Sequence, residues 1–87
     1  MPGSGLRIDK LLFFLRIAKS RTLAQNWAEA GHIRVNGRRI EKGSISVNAG
    51  DVITLPKGDA VLAIRVLIVP DRRGPPPEAQ LCYQLMQ

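Results

Sequence analysis

Nine cationic side chains fall between positions 7 and 42 of this 87-residue sequence: Arg7, Lys10, Arg16, Lys19, Arg21, Arg34, Arg38, Arg39 and Lys42. Only Asp9, Glu29 and Glu41 oppose them there, whereas the rest of the chain sets four basic groups against four acidic ones and the whole carries a formal charge of +6. Guanidinium groups gathered without matched carboxylates repel one another unless an anion is to be met, and a clustered basic face is the electrostatic footprint of nucleic-acid binding. Arginine suits the task, because its planar fork holds a phosphate by two parallel hydrogen bonds. The bland alternative is a solvated basic face with no partner.

The same inventory speaks against catalysis. His32 and Cys82 are the only residues of their kinds, and there is no pair of carboxylates at helical spacing, no G-x-x-x-x-G-K phosphate loop and no cluster with metal-ligand spacing. A non-enzymatic protein without metal or cofactor is expected. A lone cysteine permits no internal disulfide, which fits a reducing cytoplasm. No apolar run is long enough to span a membrane, and Met1–Gly5 lacks the regions of a signal peptide, so these five residues read as a flexible leader, native or left by cloning. A chain of this length has room for one domain and one modest core, and its 45% apolar content is enough to fold it.

Two helices precede a β-rich middle. Asp9 is placed to cap a first helix over Lys10–Ala18, in which Leu11, Leu12, Phe14, Leu15 and Ala18 share one arc while Phe13 and Ile17 fall outside it. Ser20 caps a second helix, Arg21–Ala30, with Leu23, Ala24, Trp27 and Ala28 at helical spacing, and Gly31 ends it. Ile33 and Val35 alternate with polar residues up to Asn36-Gly37, whose chemistry favours a tight hairpin returning through Arg38, Arg39 and Ile40. Further strands are expected at Ile45–Val47, Val52–Leu55 and Ala60–Val69, with turns at Asn48–Asp51 and Lys57–Asp59. Pro70 stops the last strand, Asp71–Pro77 reads as a stiff linker, and Glu78–Leu85 as a short helix whose Leu81 and Leu85 would dock over Phe13 and Ile17. The fold class is therefore α+β, with residues 6–69 as the binding domain and 70–87 as a linker and arm.

Arg7-Ile8-Asp9-Lys10-x-Leu12, Ser20-Arg21-x-x-Ala24, Gly31-His32-Ile33-Arg34-Val35-Asn36-Gly37 and Gly50-Asp51-Val52-Ile53 occur here in the order and spacing of one module. The sequence resembles the S4 domain, an RNA-binding fold. Further on, Asp71-Arg72-Arg73, the prolines and Glu78-Ala79-x-Leu81-x-Tyr83 resemble the C-terminal arm of the ribosome-associated fifteen-kilodalton heat-shock protein family, whose pattern runs on into a charged tail. The resemblance implies an αL motif: two N-terminal helices packed on a small, mainly antiparallel sheet, with a short C-terminal helix. It also implies binding of structured RNA, rRNA with tRNA a candidate, on free large ribosomal subunits that carry a blocked nascent chain. A monomer without membrane contact is expected.

In that family the RNA contacts lie on the helices and the hairpin. Carried onto this sequence, they are Arg7, Lys10, Arg16, Lys19, Ser20, Arg21 and Gln25 on and around the helices, and Arg34, Asn36, Arg38, Arg39 and Lys42 on and beyond the hairpin. Arg16, Lys19, Ser20 and Arg21 would surround the junction between the helices, where the free amides of the second helix attract phosphate. Several of these have structural readings beside the binding one. Asp9 serves as cap and ion-pair partner of Arg7, and Ser20 as a cap. Asn36 either holds its turn or reaches a ribose 2′-hydroxyl, and Trp27 either packs in the core or stacks on a base. Non-specific DNA binding and an RNA-binding fragment of an RNA-modifying enzyme, of the pseudouridine synthase type, are the competing functions.

Overall fold

The computed structural model describes residues 5–86, so most of the expected leader lies outside the described residues. A two-residue strand, β1 (Leu6–Arg7), runs directly into helix α1 (Ile8–Phe14), and α2 (Arg21–Glu29) follows. The hairpin is β2 (Arg34–Val35) and β3 (Arg38–Arg39); then come β4 (Ser46–Val47), β5 (Val52–Lys57), β6 (Ala60–Val66), α3 (Pro76–Gln80) and β7 (Tyr83–Leu85). β1 pairs with β4, and the other strands form one sheet in the order β3-β2-β5-β6-β7, every neighbour antiparallel. The α+β architecture agrees with the pattern of the sequence.

The core sits between the helix pair and the sheet. Ile8, Leu11, Leu12 and Leu15 are buried against Ala24 and Ala28 of α2 and against Ile33, Ile53, Leu55, Ile64 and Val66. Alanine at both α2 contact positions lets the two helices approach closely, since interaxial distance follows side-chain size. Ser20 caps α2 as expected, its hydroxyl accepting the Leu23 amide at 3.0 Å. Gly31 ends that helix at φ +79°, and Asn36 (φ +53°) with Gly37 (φ +81°) makes the mirror-image turn that suits the twist of a hairpin.

Helix one differs from expectation at both ends. It begins at Ile8, because the Ile8 and Asp9 amides donate to the Ile45 and Gly43 carbonyls at 2.8 and 3.2 Å. Backbone from the loop before β4 thus satisfies donors that a side-chain cap would have taken, and Asp9 lies inside the first turn instead of ahead of it. The helix stops at Phe14; Arg16 takes a left-handed conformation (φ +62°), and the Ile17 and Ala18 amides both donate to the Leu12 carbonyl at 3.0 and 3.1 Å. Leu15 and Ala18 still reach the core, carried there by this turn.

The C-terminal arm departs further. The helix occupies Pro76–Gln80, with proline in its first turn where no amide donor is missed, and the chain beyond becomes β7 on the open edge of β6 (Tyr83 opposite Val66, Leu85 opposite Ile64). A sheet edge offers unpaired backbone groups that a five-residue helix cannot match. Ala79 and Cys82 are the buried anchors of the arm, while Leu81 and Leu85 are exposed and do not cover Phe13 and Ile17. Phe13 is covered instead by Arg73, whose guanidinium lies 4.4 Å from the ring centroid and donates to the Phe13 carbonyl at 3.0 Å. β6 likewise ends at Val66, earlier than the apolar run, because the Leu67 and Ile68 amides turn to the Cys82 carbonyl.

Leu12 is fully buried at the centre of this packing. Leu12→Ala is expected to cost about 2–5 kcal/mol, read as a lowered urea midpoint with an unchanged slope.

Candidate nucleic-acid interface

Asp9 is the one buried charged side chain among the described residues, 1% exposed. A buried carboxylate is costly unless it is paired and hydrogen-bonded, and both its oxygens are occupied. Oδ1 accepts the Lys10 amide at 2.6 Å and Arg7 Nε at 3.2 Å, Oδ2 accepts Arg7 Nη2 at 2.9 Å, and Arg21 Nη2 stands 3.6 Å from Oδ1. The ion pair with Arg7 agrees with the sequence; the second one, to α2, does not follow from spacing. One carboxylate thereby holds two half-exposed guanidinium groups, from β1 and α2, side by side at the surface. Next to Arg21, Ser20 has used the Leu23 amide, which leaves the Arg21 and Thr22 amides without an acceptor among the described residues. Such amides at a helix start favour an anion.

The hairpin supplies the second group of cations. Arg34 and Arg39 stand directly opposite each other across β2 and β3, an arrangement of like charges that destabilises a sheet unless an anion or a fixed dipole relieves it. Arg34 Nη1 donates to the Gly37 carbonyl at 3.4 Å. Arg39 lays its stem against Gly31, where a Cβ would stand 3.4 Å from its Cδ, so it reaches the negative end of α2; its tip pairs with Glu41 at 3.6 Å, both exposed. Arg38 lines a depression of about 480 Å³ with Val35, Asn36, Ile45 and Asp51. The Asn36 side chain belongs to the fold: its Oδ1 accepts the Val52 amide at 2.9 Å and its Nδ2 donates to Asp51 at 3.1 Å.

The other expected residues have partners or surroundings of their own, and Lys10 and Lys42 adjoin the Asp9 centre in sequence, flanking Asp9 and Gly43. Arg16 leaves the helix junction through its left-handed backbone and donates Nε to the Gly74 carbonyl at 2.6 Å, which places it beside Lys57 and Arg73. Lys10 holds its ammonium 5.4 Å from the Phe14 ring centroid, and Gln25 donates to Glu29 at 3.0 Å along the exposed side of α2. Lys19 lines a groove with Trp27, while Lys42 is exposed without an ion pair among the described residues. Trp27 packs partly on the core and partly on that groove. Reasoning from sequence passed over Lys57 and Arg73, because the second half of the chain is neutral as a count. The one sequence signal available for Arg73 is Phe13, an aromatic outside the apolar arc that needs a cover, which the sequence pattern assigns to Leu81 and Leu85 instead.

Cys82 is held mainly as the thiol, the weaker nucleophile. Burial pushes its thiol pKa up, the negative charge of Glu78 adds to the effect, and the Sγ donates to the Glu78 carbonyl at 3.7 Å. Among the described residues, no helix is long and apolar enough to cross a membrane.

A family model described as the S4 domain matches residues 6–53, the stretch that holds Asp9, both helices and the hairpin. The chain is 38% identical over 79 residues to the heat shock protein 15 homolog of Aeromonas salmonicida, an alignment that covers 91% of this chain and 59% of that relative. It is 41% identical over 54 residues to the small ribosomal subunit protein uS4 of Opitutus terrae, covering 62% of this chain and 27% of that protein. Among solved structures, trimeric heat shock protein 15 of Vibrio cholerae superposes with a TM-score of 0.89 at 38% identity, over 95% of this chain and 83% of that one. The chain thus spans less than two thirds of the length of the curated relatives named first.

Removal of Asp9 would free Arg7 and Arg21 and leave the Lys10 amide unpaired. Asp9→Ala is expected to lower stability by about 1–3 kcal/mol, measured by thermal or urea unfolding near neutral pH.

Proposed function

The chain belongs to the S4 domain family and is a homologue of heat shock protein 15, and on that footing we propose that it binds structured RNA without catalysis, as a ribosome-associated protein. The finer reading is that its ligand is rRNA of the large subunit, with tRNA close by, in complexes stalled with a nascent chain under stress. The observation that carries RNA binding is the pair Arg7 and Arg21 assembled on Asp9, together with a hairpin in which two arginines face each other. Phosphates relieve both congestions at once, and the matched family segment spans both. The likeness continues through the C-terminal arm, which favours a stand-alone binder over a fragment of a modifying enzyme.

DNA binding is the second reading, because phosphate affinity alone does not separate the two polymers; competition between a structured RNA and duplex DNA of equal length distinguishes them through the 2′-hydroxyl. A monomer remains our proposal beside the trimer of the V. cholerae relative, and sedimentation of the free protein decides between the two.

Binding of a large-subunit rRNA fragment is expected to weaken with salt at a log–log slope of roughly −4 to −6, from about five to seven neutralised phosphates. A flat response would contradict a phosphate-led interface. Replacing Arg21, Arg34 and Arg38 together by Ala should lower the affinity and reduce the magnitude of that slope by about three, with the circular dichroism spectrum preserved.

A further inference from the structure

Two concave surfaces meet at Lys57, on the side of the molecule formed by α2, the tip of the β5–β6 hairpin and the arm. The first is a groove of about 400 Å³ with Trp27, Leu23, Ile17 and Pro56 in its walls and Lys19 and Lys57 at its rim. The second, about 380 Å³, is lined by Arg16, Lys57, Arg73 and Tyr83. No carboxylate lines either one, and none of these four cations stands in an ion pair among the described residues.

The two arginines are aimed by the fold. Arg16 spends Nε–H on the Gly74 carbonyl, Arg73 spends its own on the Phe13 carbonyl while lying over the Phe13 ring, and the terminal nitrogens of both have no acceptor among the described residues. An apolar, aromatic-walled groove that continues into a cationic depression is the shape of a nucleotide: a flat apolar base joined to an anionic phosphate. A volume of this size holds a single base; an amphipathic helix would need a longer apolar strip.

We propose that this track is a second RNA subsite that takes single-stranded RNA, one base seated against Trp27 and its flanking phosphates held by Lys57, Arg16 and Arg73. It deepens the RNA-binding function proposed above and rests on it, yet none of its residues belongs to the Arg7, Arg21 and hairpin surface. A duplex or folded RNA held on that first surface would pass an unpaired end or bulge into this one.

Trp27 is the only tryptophan, so its emission reports the groove alone. The test titrates the full chain with hexaadenylate RNA and, in parallel, with a ribose-phosphate chain of the same length lacking bases. Saturable quenching of Trp27 by hexaadenylate and little by the abasic chain is expected, with Lys57→Glu weakening the interaction by about tenfold or more. The Arg21, Arg34, Arg38 triple alanine variant should keep the quenching while binding structured RNA more weakly. Unchanged emission with hexaadenylate, equal quenching by the abasic chain, or indifference to Lys57→Glu in a variant of native circular dichroism would each overturn the subsite. If the unaltered protein still bound structured rRNA in those cases, only the subsite would fall; if it bound neither, the proposed function would fall as well. Quenching by an acidic amphipathic peptide in place of hexaadenylate would assign the groove to a protein and likewise overturn it.

Discussion

The carboxylate of Asp9 is the constraint on which the binding half of the molecule depends. It is buried where β1, α1, α2 and the loop before β4 converge, and a Cβ at Gly43 would stand 3.0 Å from its Oδ2. Burial of that charge is tolerated because two guanidinium groups and a backbone amide meet it. The consequence runs outward: an anion inside the fold fixes two cations at its surface, so part of the repulsion among the arginines is relieved before any ligand arrives. One residue therefore joins the packing of the helices to the electrostatics of the interface.

The sheet makes a different compromise. β2 and β3 are two residues each and put Arg34 opposite Arg39, which is poor chemistry for a hairpin standing alone. They persist because β2 is stitched to β5, the Asn36 side chain takes the Val52 amide, and the mirror-image turn sets the twist. At the other edge β7 closes the open side of β6, and the proline-rich segment before it brings Arg73 over Phe13 and the Gly74 carbonyl to Arg16. The arm is thus part of the sheet, and it decides where two of the arginines point.

Local rules carried far in this chain. Ser20, Gly31 and Asn36-Gly37 each impose a conformation through their own side chain or its absence, so α2 and the hairpin were legible residue by residue. Apolar spacing identified Leu11, Leu12, Leu15, Ala24 and Ala28 as core even where the helix proved shorter. Asp9 and Arg7 were legible as a pair because they are neighbours in sequence. The link from Asp9 to Arg21 was not, nor the turn that carries Arg16 away from the helix junction, because both arise from packing between elements.

By itself the sequence determined the α+β class, the order of helices and hairpin, the basic first half and the resemblance to an RNA-binding module, since each rests on residue type, spacing or charge within a short window. Tertiary structure alone decided that α1 is capped by backbone from the loop before β4, that the last residues form a strand and that Phe13 is covered by an arginine instead of by leucines. It also decided which cations stand together. Those outcomes turn on hydrogen-bond partners and neighbours far apart in the chain, and such contacts exist only once the fold has closed around them.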